Sequence, residues 1–168
     1  MIKLYNNFNI QSIHKKSIIL IGNFDGLHLG HQKLFYLAKR YKKKFSLKVG
    51  VLTFEPMPKM FFNREIKNFR ISNKKQKINL LNKFNVDFVI IKKFNKKFSK
   101  IKSIDFIKKI LSKKLNARYI FVSNNFRFGN KREGDVRQLI KYEHQCNYKI
   151  VKPKPLLIKK KVVSSTLI

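Results

Sequence analysis

Apolar runs rich in branched side chains alternate along this chain with segments whose apolar residues recur at helical spacing. A chain that alternates strands and helices in this way folds as an open α/β sheet with mostly parallel pairing. We therefore expect a mostly parallel five-stranded sheet with helices on both faces. The predicted strands are Ser17–Gly22, Leu47–Phe54, Asp87–Lys92, Arg118–Ser123 and Tyr148–Lys152.

Four segments between or beside these strands have the apolar spacing of amphipathic helices. Ser103 is a favourable N-cap residue, so we expect it to begin the third helix, with Asp105 in its first turn. The four segments, with their expected buried residues, are His31–Lys44 with Leu34, Leu37 and Ala38; Lys74–Phe84 with Ile78, Leu81 and Phe84; the helix after Ser103 with Ile104, Ile107, Leu111 and Leu115; and Asp135–Tyr142.

The length of 168 residues predicts one domain over residues 1–168. No apolar run reaches the roughly 20 residues of a membrane helix, and the first residues lack the apolar core of a signal peptide. Both observations favour a cytoplasmic location and no membrane partner. Cys146 is the only cysteine, which excludes an internal disulfide and a cysteine-based zinc site.

The formal net charge of +32 is the second strong feature of the sequence. A surface this basic binds polyanions by releasing counterions, so nonspecific nucleic-acid binding is expected at low salt. Lysine greatly outnumbers arginine and occurs on nearly every predicted helix and loop, whereas nucleic-acid readers more often concentrate both residues on one face. The excess of Lys, Asn, Ile and Phe also fits a drifted, A/T-rich codon pool.

The segments that follow the predicted strands carry the candidate chemistry, because ligands of open α/β sheets bind beyond the carboxyl ends of the strands. Each of these segments is polar, aromatic or glycine-bearing. They are GNFDGLHLGH from Gly22, TFEPMP from Thr53, NNFRFGNKREGD from Asn124 and VSSTLI from Val163.

The pair His28 and His31 is the sharpest of these signals. Two imidazoles three residues apart, between a strand and a helix start, lie where backbone N–H groups bind a phosphate. The alternative is that His31 caps the helix and His28 lies in an ordinary loop. A zinc site is not favoured, since Asp25 is the only carboxylate nearby.

These four segments, in this order, resemble the FMN adenylyltransferase module of bacterial bifunctional riboflavin kinase/FMN adenylyltransferases, also called FAD synthetases. The similarity runs from about Ile18 to the last residue. HxGH alone is typical of the wider nucleotidylyltransferase superfamily, and the FDG, TFEP and FRFG elements together favour the flavin branch. The resemblance implies a Rossmann-like nucleotidylyltransferase fold. It also implies that the riboflavin kinase domain is absent from residues 1–168.

The implied reaction converts ATP and FMN to FAD and pyrophosphate with Mg²⁺, by direct in-line attack without a covalent intermediate. The FMN phosphate is already an anion, so no Ser or Cys nucleophile has to be activated. By the resemblance, His28 and His31 are catalytic, and glycines give the loop its unusual conformations. The implied ATP-binding residues are Gly22, Asn23, Phe24, Asp25, Gly26, His28, His31, Ser164, Ser165 and Thr166.

The flavin site is expected to be an aromatic wall with a polar element, and Asn125 is the candidate metal ligand. The expected flavin-binding residues are Phe54, Pro56, Pro58, Phe62, Asn125, Phe126 and Phe128. Two other functions stay open at this point. One is an HxGH nucleotidylyltransferase that acts on a different phosphate ester, and the other is a noncatalytic basic protein that binds nucleic acid. For an FMN adenylyltransferase without the kinase domain, a separate riboflavin kinase is the candidate partner that would supply FMN.

Overall fold

The computed structural model describes residues 1–25, 29–63, 74–152, 157–158 and 161–162. Its strands are β1 (Lys3–Tyr5), β2 (Ile18–Ile21), β3 (Val49–Glu55), β4 (Phe88–Lys93), β5 (Tyr119–Phe121), β6 (Arg127–Phe128), β7 (Gly134–Asp135), β8 (Lys149–Val151), β9 (Leu157–Ile158) and β10 (Lys161–Val162). Its helices are α1 (Leu29–Phe45), α2 (Pro58–Phe62), α3 (Lys74–Lys83), α4 (Lys96–Ser99), α5 (Ser103–Asp105), α6 (Val136–Lys141) and α7 (Glu143–Cys146), with a π-helical segment at Phe106–Lys114 and 3₁₀ turns at Ser12–His14 and Asn130–Arg132.

Six strands form one parallel sheet in the spatial order β1-β4-β3-β2-β5-β8. The strands that were predicted as the first to the fifth therefore lie in the order 3-2-1-4-5. After β2 the chain continues to β3, on one side of β2 within the sheet. After β5 it continues to β8, on the opposite side of the sheet. The space between the carboxyl ends of β2 and β5 is the topological switch point, where doubly wound sheets bind their ligands.

All five predicted strands are confirmed, but the predicted strand number is wrong because β1 adds a sixth strand at the edge. This strand has only three residues and pairs with β4, with Lys3 opposite Phe88. Lys3 and Leu4 are exposed, and three residues are too few to establish an alternating pattern. Only the neighbouring strand identifies this segment as part of the sheet.

Alternate residues of the central strands point into two separate hydrophobic cores, one on each face of the sheet. Ile18 and Leu20 pack with α1 and α3, whereas Ile19 and Ile21 pack with the π-helical segment and α6. The predicted buried faces of the first two helices are confirmed, since Leu34, Ala38 and Leu81 are buried and the other members pack against the same core. Helices therefore cover both faces, as expected.

The expectation that Ser103 caps its helix is wrong. Ser103 is the first helical residue, Lys102 holds the N-cap position, and no side chain of the cap accepts a hydrogen bond there. The helix then widens into the π-helical segment, in which the N–H of Leu115 donates to the carbonyl of Ile110 at 2.9 Å. The wider turn buries Phe106 and Ile110 beside the predicted Ile107 and Leu111, while Ile104 is only half-buried.

The lone thiol of Cys146 is free and buried. None of the helices among the described residues is long and apolar enough to cross a membrane.

Candidate active site

The switch point brings together two of the predicted site segments, at the carboxyl ends of β2 and β5. These strands are neighbours, with Ile18 opposite Tyr119 and Leu20 opposite Phe121. The loop after β2 begins at Gly22, and the loop after β5 begins at Val122. Both loops therefore leave the same edge of the sheet side by side.

Hydrogen bonds from β3 hold the loop that follows β2. The N–H of Gly22 donates to the carbonyl of Leu52 at 3.1 Å, which extends the pairing of β2 with β3 by one residue. The buried Thr53 hydroxyl donates to the carbonyl of Asn23 at 3.4 Å. Thr53, the first residue of the TFEP element, thus supports the loop that carries the FDG element.

Phe24 has a conformation that a non-glycine residue rarely adopts, with φ of 50°. The sequence predicted that glycines provide the unusual conformations of this loop, but between residues 22 and 25 the positive φ falls on Phe24. Gly22 serves a different purpose, because a Cβ atom there would lie 3.1 Å from the Phe24 ring. The small residue lets the ring turn inward and be buried.

The inward ring of Phe24 lies against the first turns of α1. It contacts the His31 imidazole edge to face, with 5.1 Å between ring centroids, and it contacts Phe35 at 5.2 Å. The Nδ1 atom of His31 and the side chain of Asp25 are buried. His31 is therefore held by packing at the amino-terminal end of a 17-residue helix, where backbone N–H groups favour an anion.

Asn125 lies in the loop after β5, on the same edge of the sheet. The Ser123 hydroxyl donates to Asn125 Oδ1 at 2.8 Å, and the N–H of Phe126 donates to the Ser123 carbonyl at 3.2 Å. The Asn125 side chain is exposed, so its amide can reach a ligand. Phe126 is half-buried and stacks on Phe128 with 5.5 Å between centroids and 17° between planes.

A short hairpin, β6 with β7, fixes the rest of this loop against α5. The N–H of Asn130 donates to the carbonyl of Ile101 at 2.6 Å, and the N–H of Ser103 donates to the carboxylate of Glu133 at 2.8 Å. Gly129, with φ of 81°, touches the backbone of Ser103 so closely that a Cβ atom would lie 2.8 Å from its Cα. No local pattern in the sequence identifies Glu133, because its partner lies 30 residues away.

Aromatic rings connect the two parts of the expected flavin site. Consecutive ring centroids along this series are 5.2 to 6.5 Å apart, and the series runs through Phe62, Phe61, Phe94, Phe98, Phe106, Phe128 and Phe126. Phe62 at one end is 66% exposed, and Phe126 at the other end is half-buried. Phe106 and Phe128 are buried, and Phe61, Phe94 and Phe98 are half-buried like Phe126, so Phe62 is the ring of the series that is most open to a flat ligand.

The other expected flavin residues differ in their exposure. Phe54 is buried, with its ring against Phe94 and Phe98 at 6.0 and 5.6 Å. Pro56 follows Glu55 through a cis peptide bond, and Pro58 is the first residue of α2. The two prolines thus turn the chain from β3 into the helix that carries Phe62, and Phe54 supports the aromatic series from the core.

Several expected site residues lie outside the described part of the chain. They are Gly26, His28, Ser164, Ser165 and Thr166. Within the described residues, no group of three or more His, Cys, Asp or Glu side chains is arranged to hold a metal ion.

A parallel sheet with this strand order, and with His31 in the first turn of the helix that follows β2, defines a doubly wound α/β domain, a class of fold that binds its ligands at the switch point. The comparison with protein families is more specific. Residues 10–167 match the family described as FAD synthetase. The chain belongs to the FAD synthetase family, which confirms the resemblance found in its motifs.

Curated relatives carry the name bifunctional riboflavin kinase/FMN adenylyltransferase. The protein from Buchnera aphidicola of Acyrthosiphon pisum is 38% identical over 158 residues, covering 94% of this chain and 50% of that protein. The Escherichia coli K12 protein is 34% identical, covering 79% of this chain and 44% of that protein. The chain thus spans about half the length of these relatives, namely their FMN adenylyltransferase part.

The fold is also found in solved structures. A crystal structure described as a macrolide-efflux protein from Streptococcus pneumoniae superposes with a TM-score of 0.82 and 24% identity, covering 98% of this chain and 53% of that one. At this identity the similarity concerns the fold alone.

Proposed function

We propose that this chain is an FMN adenylyltransferase, which transfers the adenylyl group of ATP to FMN and releases pyrophosphate. The observation that carries the proposal is that two loops follow neighbouring strands at the switch point in a chain of this family. The loop that begins at Gly22 leads into the FDG and HxGH elements, and the loop that begins at Val122 leads into the FRFG element. An acceptor that is already an anion requires no activated nucleophile. The site has to align two anions and stabilise charge on the phosphates.

The bond changes are those of one in-line displacement. A phosphate oxygen of FMN attacks the α-phosphorus of ATP, the new P–O bond forms, and the bond to the β-phosphate oxygen breaks. His28 and His31 donate hydrogen bonds to the phosphates as negative charge moves toward the leaving pyrophosphate. The amino-terminal end of α1 stabilises the same charge. Gly22, Asn23, Phe24, Asp25 and Gly26 shape the nucleotide loop, and Ser164, Ser165 and Thr166 hold the β- and γ-phosphates.

Flavin binding is assigned to the two ends of the aromatic series, the exposed Phe62 and the half-buried Phe126. Phe62 and Phe126 offer rings to the isoalloxazine. Phe128 stacks on Phe126, and Phe62 packs against Phe94, which in turn contacts the buried Phe54. Asn125 stands beside Phe126 with an exposed amide that reaches the substrate phosphates. Pro56 and Pro58 set the position of the helix that carries Phe62.

Mg²⁺ is the proposed metal, and the donors of the described residues fit an ion held mainly by substrate. Mg²⁺ is commonly bound through substrate phosphates, waters and one or two protein oxygens, so a dedicated protein cage is not required. Asn125 supplies a neutral amide oxygen of the right type at the sheet edge. When bound, Mg²⁺ neutralises charge on the phosphates.

The test is FAD formation by the purified protein from ATP, FMN and Mg²⁺, separated by chromatography. We expect turnover, and a loss of at least a hundredfold in kcat for His31→Ala and for His28→Ala, since removing one oxyanion donor costs about that much. The matched control is His144→Ala. Because His144 is exposed on α7, this variant should retain full activity. A folded protein that makes no FAD would contradict the proposal.

Two further arms separate the alternatives. In the first experiment, riboflavin replaces FMN. We expect FAD to form from FMN but not from riboflavin, because the proposal assigns adenylyl transfer alone to this chain. Other phosphate esters replace FMN in the second. Faster adenylation of such an ester than of FMN would favour a different nucleotidylyltransferase.

A further inference from the structure

We propose that the edge of the sheet opposite the active site binds single-stranded nucleic acid. The surface consists of four cationic residues at the amino ends of neighbouring strands, with the ring of Phe45 beside them. We call this set the cationic edge: Lys16, Lys48, Arg118 and Lys149. The inference does not depend on the proposed FAD synthesis.

The parallel sheet places these four residues in one row. Lys48 precedes β3, Arg118 precedes β5, and Lys149 opens β8, while Lys16 lies two residues before β2. The N–H of Ile18 donates to the Lys48 carbonyl, and the N–H of Lys149 donates to the Arg118 carbonyl, each at 2.9 Å. Because neighbouring strands are about 4.8 Å apart, a row over four strands extends about 15 Å.

The charges of the cationic edge are available to a ligand. Lys16, Lys48 and Lys149 are exposed, and Arg118 is half-buried. No ion pair between described residues involves any of the four. Asp87, which directly precedes the neighbouring strand β4, is instead bound by Lys42 at 2.9 Å.

An aromatic platform borders the same row. Phe45 ends α1 with 40% of its surface exposed, and it stacks on Tyr119 with 5.1 Å between centroids and 26° between planes. Tyr41 packs edge to face against both rings, at 5.6 and 5.2 Å. The Lys44 ammonium group lies 5.3 Å from the Phe45 centroid. Tyr119 and Tyr41 therefore hold the Phe45 ring in place, and cationic groups lie close to it.

A depression of about 370 Å³ joins the platform to the cationic edge. Its lining includes Phe45, Tyr119, Arg118 and Lys149, together with Tyr41, Asn147 and Tyr148. This volume falls in the range of small-ligand sites. One depression thus combines a flat apolar ring, cations and an exposed amide.

This combination fits a single strand better than other polyanions. Nonspecific single-strand sites combine a positively charged track for the backbone with aromatic rings on which unstacked bases lie. A duplex keeps its bases stacked and cannot use the ring, and an acidic peptide offers no base. The ligand chemistry is therefore a nucleobase with neighbouring phosphates.

The net charge of +32 attracts every polyanion, so the test has to separate a site from overall charge. One variant removes the three exposed lysines of the cationic edge: Lys16→Gln, Lys48→Gln and Lys149→Gln. The matched control removes three exposed lysines elsewhere: Lys39→Gln, Lys75→Gln and Lys141→Gln. Both variants lower the net charge equally. A second pair compares Phe45→Leu with Tyr36→Leu, since Tyr36 is also an exposed aromatic residue of α1.

Binding is measured by fluorescence anisotropy with a labelled 15-nucleotide oligouridine, over a series of salt concentrations. We expect the edge variant to bind at least tenfold more weakly. Its slope of log Kd against log salt should be smaller by about 2, because each of the three lost phosphate contacts contributes roughly 0.7 to the slope. The control variant should change Kd less than threefold. Phe45→Leu should weaken single-strand binding about tenfold, with Tyr36→Leu unchanged.

Three results would overturn the proposal. Equal losses in the two triple variants would assign binding to overall charge. An unchanged affinity in Phe45→Leu, or equal affinity for a duplex of the same length, would show that no base stacks on the Phe45 ring. Competition by polyglutamate as effective as that by oligouridine of equal charge would identify a surface for acidic peptides. Circular dichroism of every variant confirms that the fold is retained.

Discussion

The ring of Phe24 meets the imidazole of His31 edge to face, with 5.1 Å between the ring centroids. Phe24 has a left-handed backbone in the loop after β2, and His31 lies in the first turn of α1. A strained non-glycine conformation persists only where the surroundings fix it. The contact therefore couples the conformation of the nucleotide loop to the orientation of a proposed catalytic histidine.

We expect Phe24→Leu to lower kcat for FAD formation about tenfold with a smaller change in KM, because the imidazole loses the ring that orients it. The control is Phe88→Leu, another buried phenylalanine, which lies at the opposite edge of the sheet. Steady-state kinetics and urea unfolding of both variants test this prediction. Equal activity losses at similar stability would show that Phe24 acts through packing alone.

The bond from the Ser103 N–H to the Glu133 carboxylate predicts a stability effect. Glu133→Ala should lower the free energy of unfolding by about 1–3 kcal/mol, because a hydrogen bond to a charged group is lost at a helix start. Glu133→Gln keeps an acceptor oxygen and should lose less. Urea denaturation provides the measurement, and an equal loss in the two variants would contradict a role for the hydrogen bond.

Gly129→Ala should be destabilising for two reasons. Its φ of 81° is unfavourable for alanine, and the new Cβ atom would lie 2.8 to 2.9 Å from the backbone and Cβ of Ser103. The expected cost is about 1–3 kcal/mol, as for overpacking of a tight interior. Lys131→Ala, in the same turn, adds no Cβ atom and serves as control. A melting temperature for Gly129→Ala equal to that of the control would refute the close contact.

His14 predicts a pH dependence of stability. It is buried against Phe88, with ring centroids 4.4 Å apart, and its Nδ1 lies 2.6 Å from the Tyr5 hydroxyl. Burial lowers the pKa of His14 below its usual value of 6.5, and this effect outweighs the opposing charge of Asp87. In acid the unfolded chain therefore binds a proton more readily than the folded one.

The stability contributed by neutral His14 is complete above pH 6.5 and decreases as the pH falls from about 6.5 toward the lower pKa of the folded state. We expect the stability of the parent protein to fall more between pH 7.5 and 5.5 than that of His14→Asn. Urea midpoints at both pH values measure the difference. The exposed His144→Asn should keep the parental pH dependence, and a parental dependence in His14→Asn would exclude His14 as the cause.

The sequence predicted the elements that are long and regular. Ile18–Ile21 and Val49–Glu55 are apolar throughout because both faces of a parallel strand are covered. The strand β1 was missed because its three residues have no period. The predicted capping role of Ser103 is wrong because Lys102 holds the N-cap position and no cap side chain accepts a hydrogen bond there. The N–H of Ser103 instead donates to Glu133, a residue distant in sequence.

By itself, the sequence determined the fold class, the family and the identity of the segments that follow each strand, because hydrophobic periodicity and motif spacing are local properties. Tertiary structure decided which of these segments meet. The strand order places the loop of Phe24 beside the loop of Asn125, and the same order gathers lysines from distant segments into the cationic edge. The physical reason is that pairing between strands is a non-local choice, made by packing on both faces of the sheet.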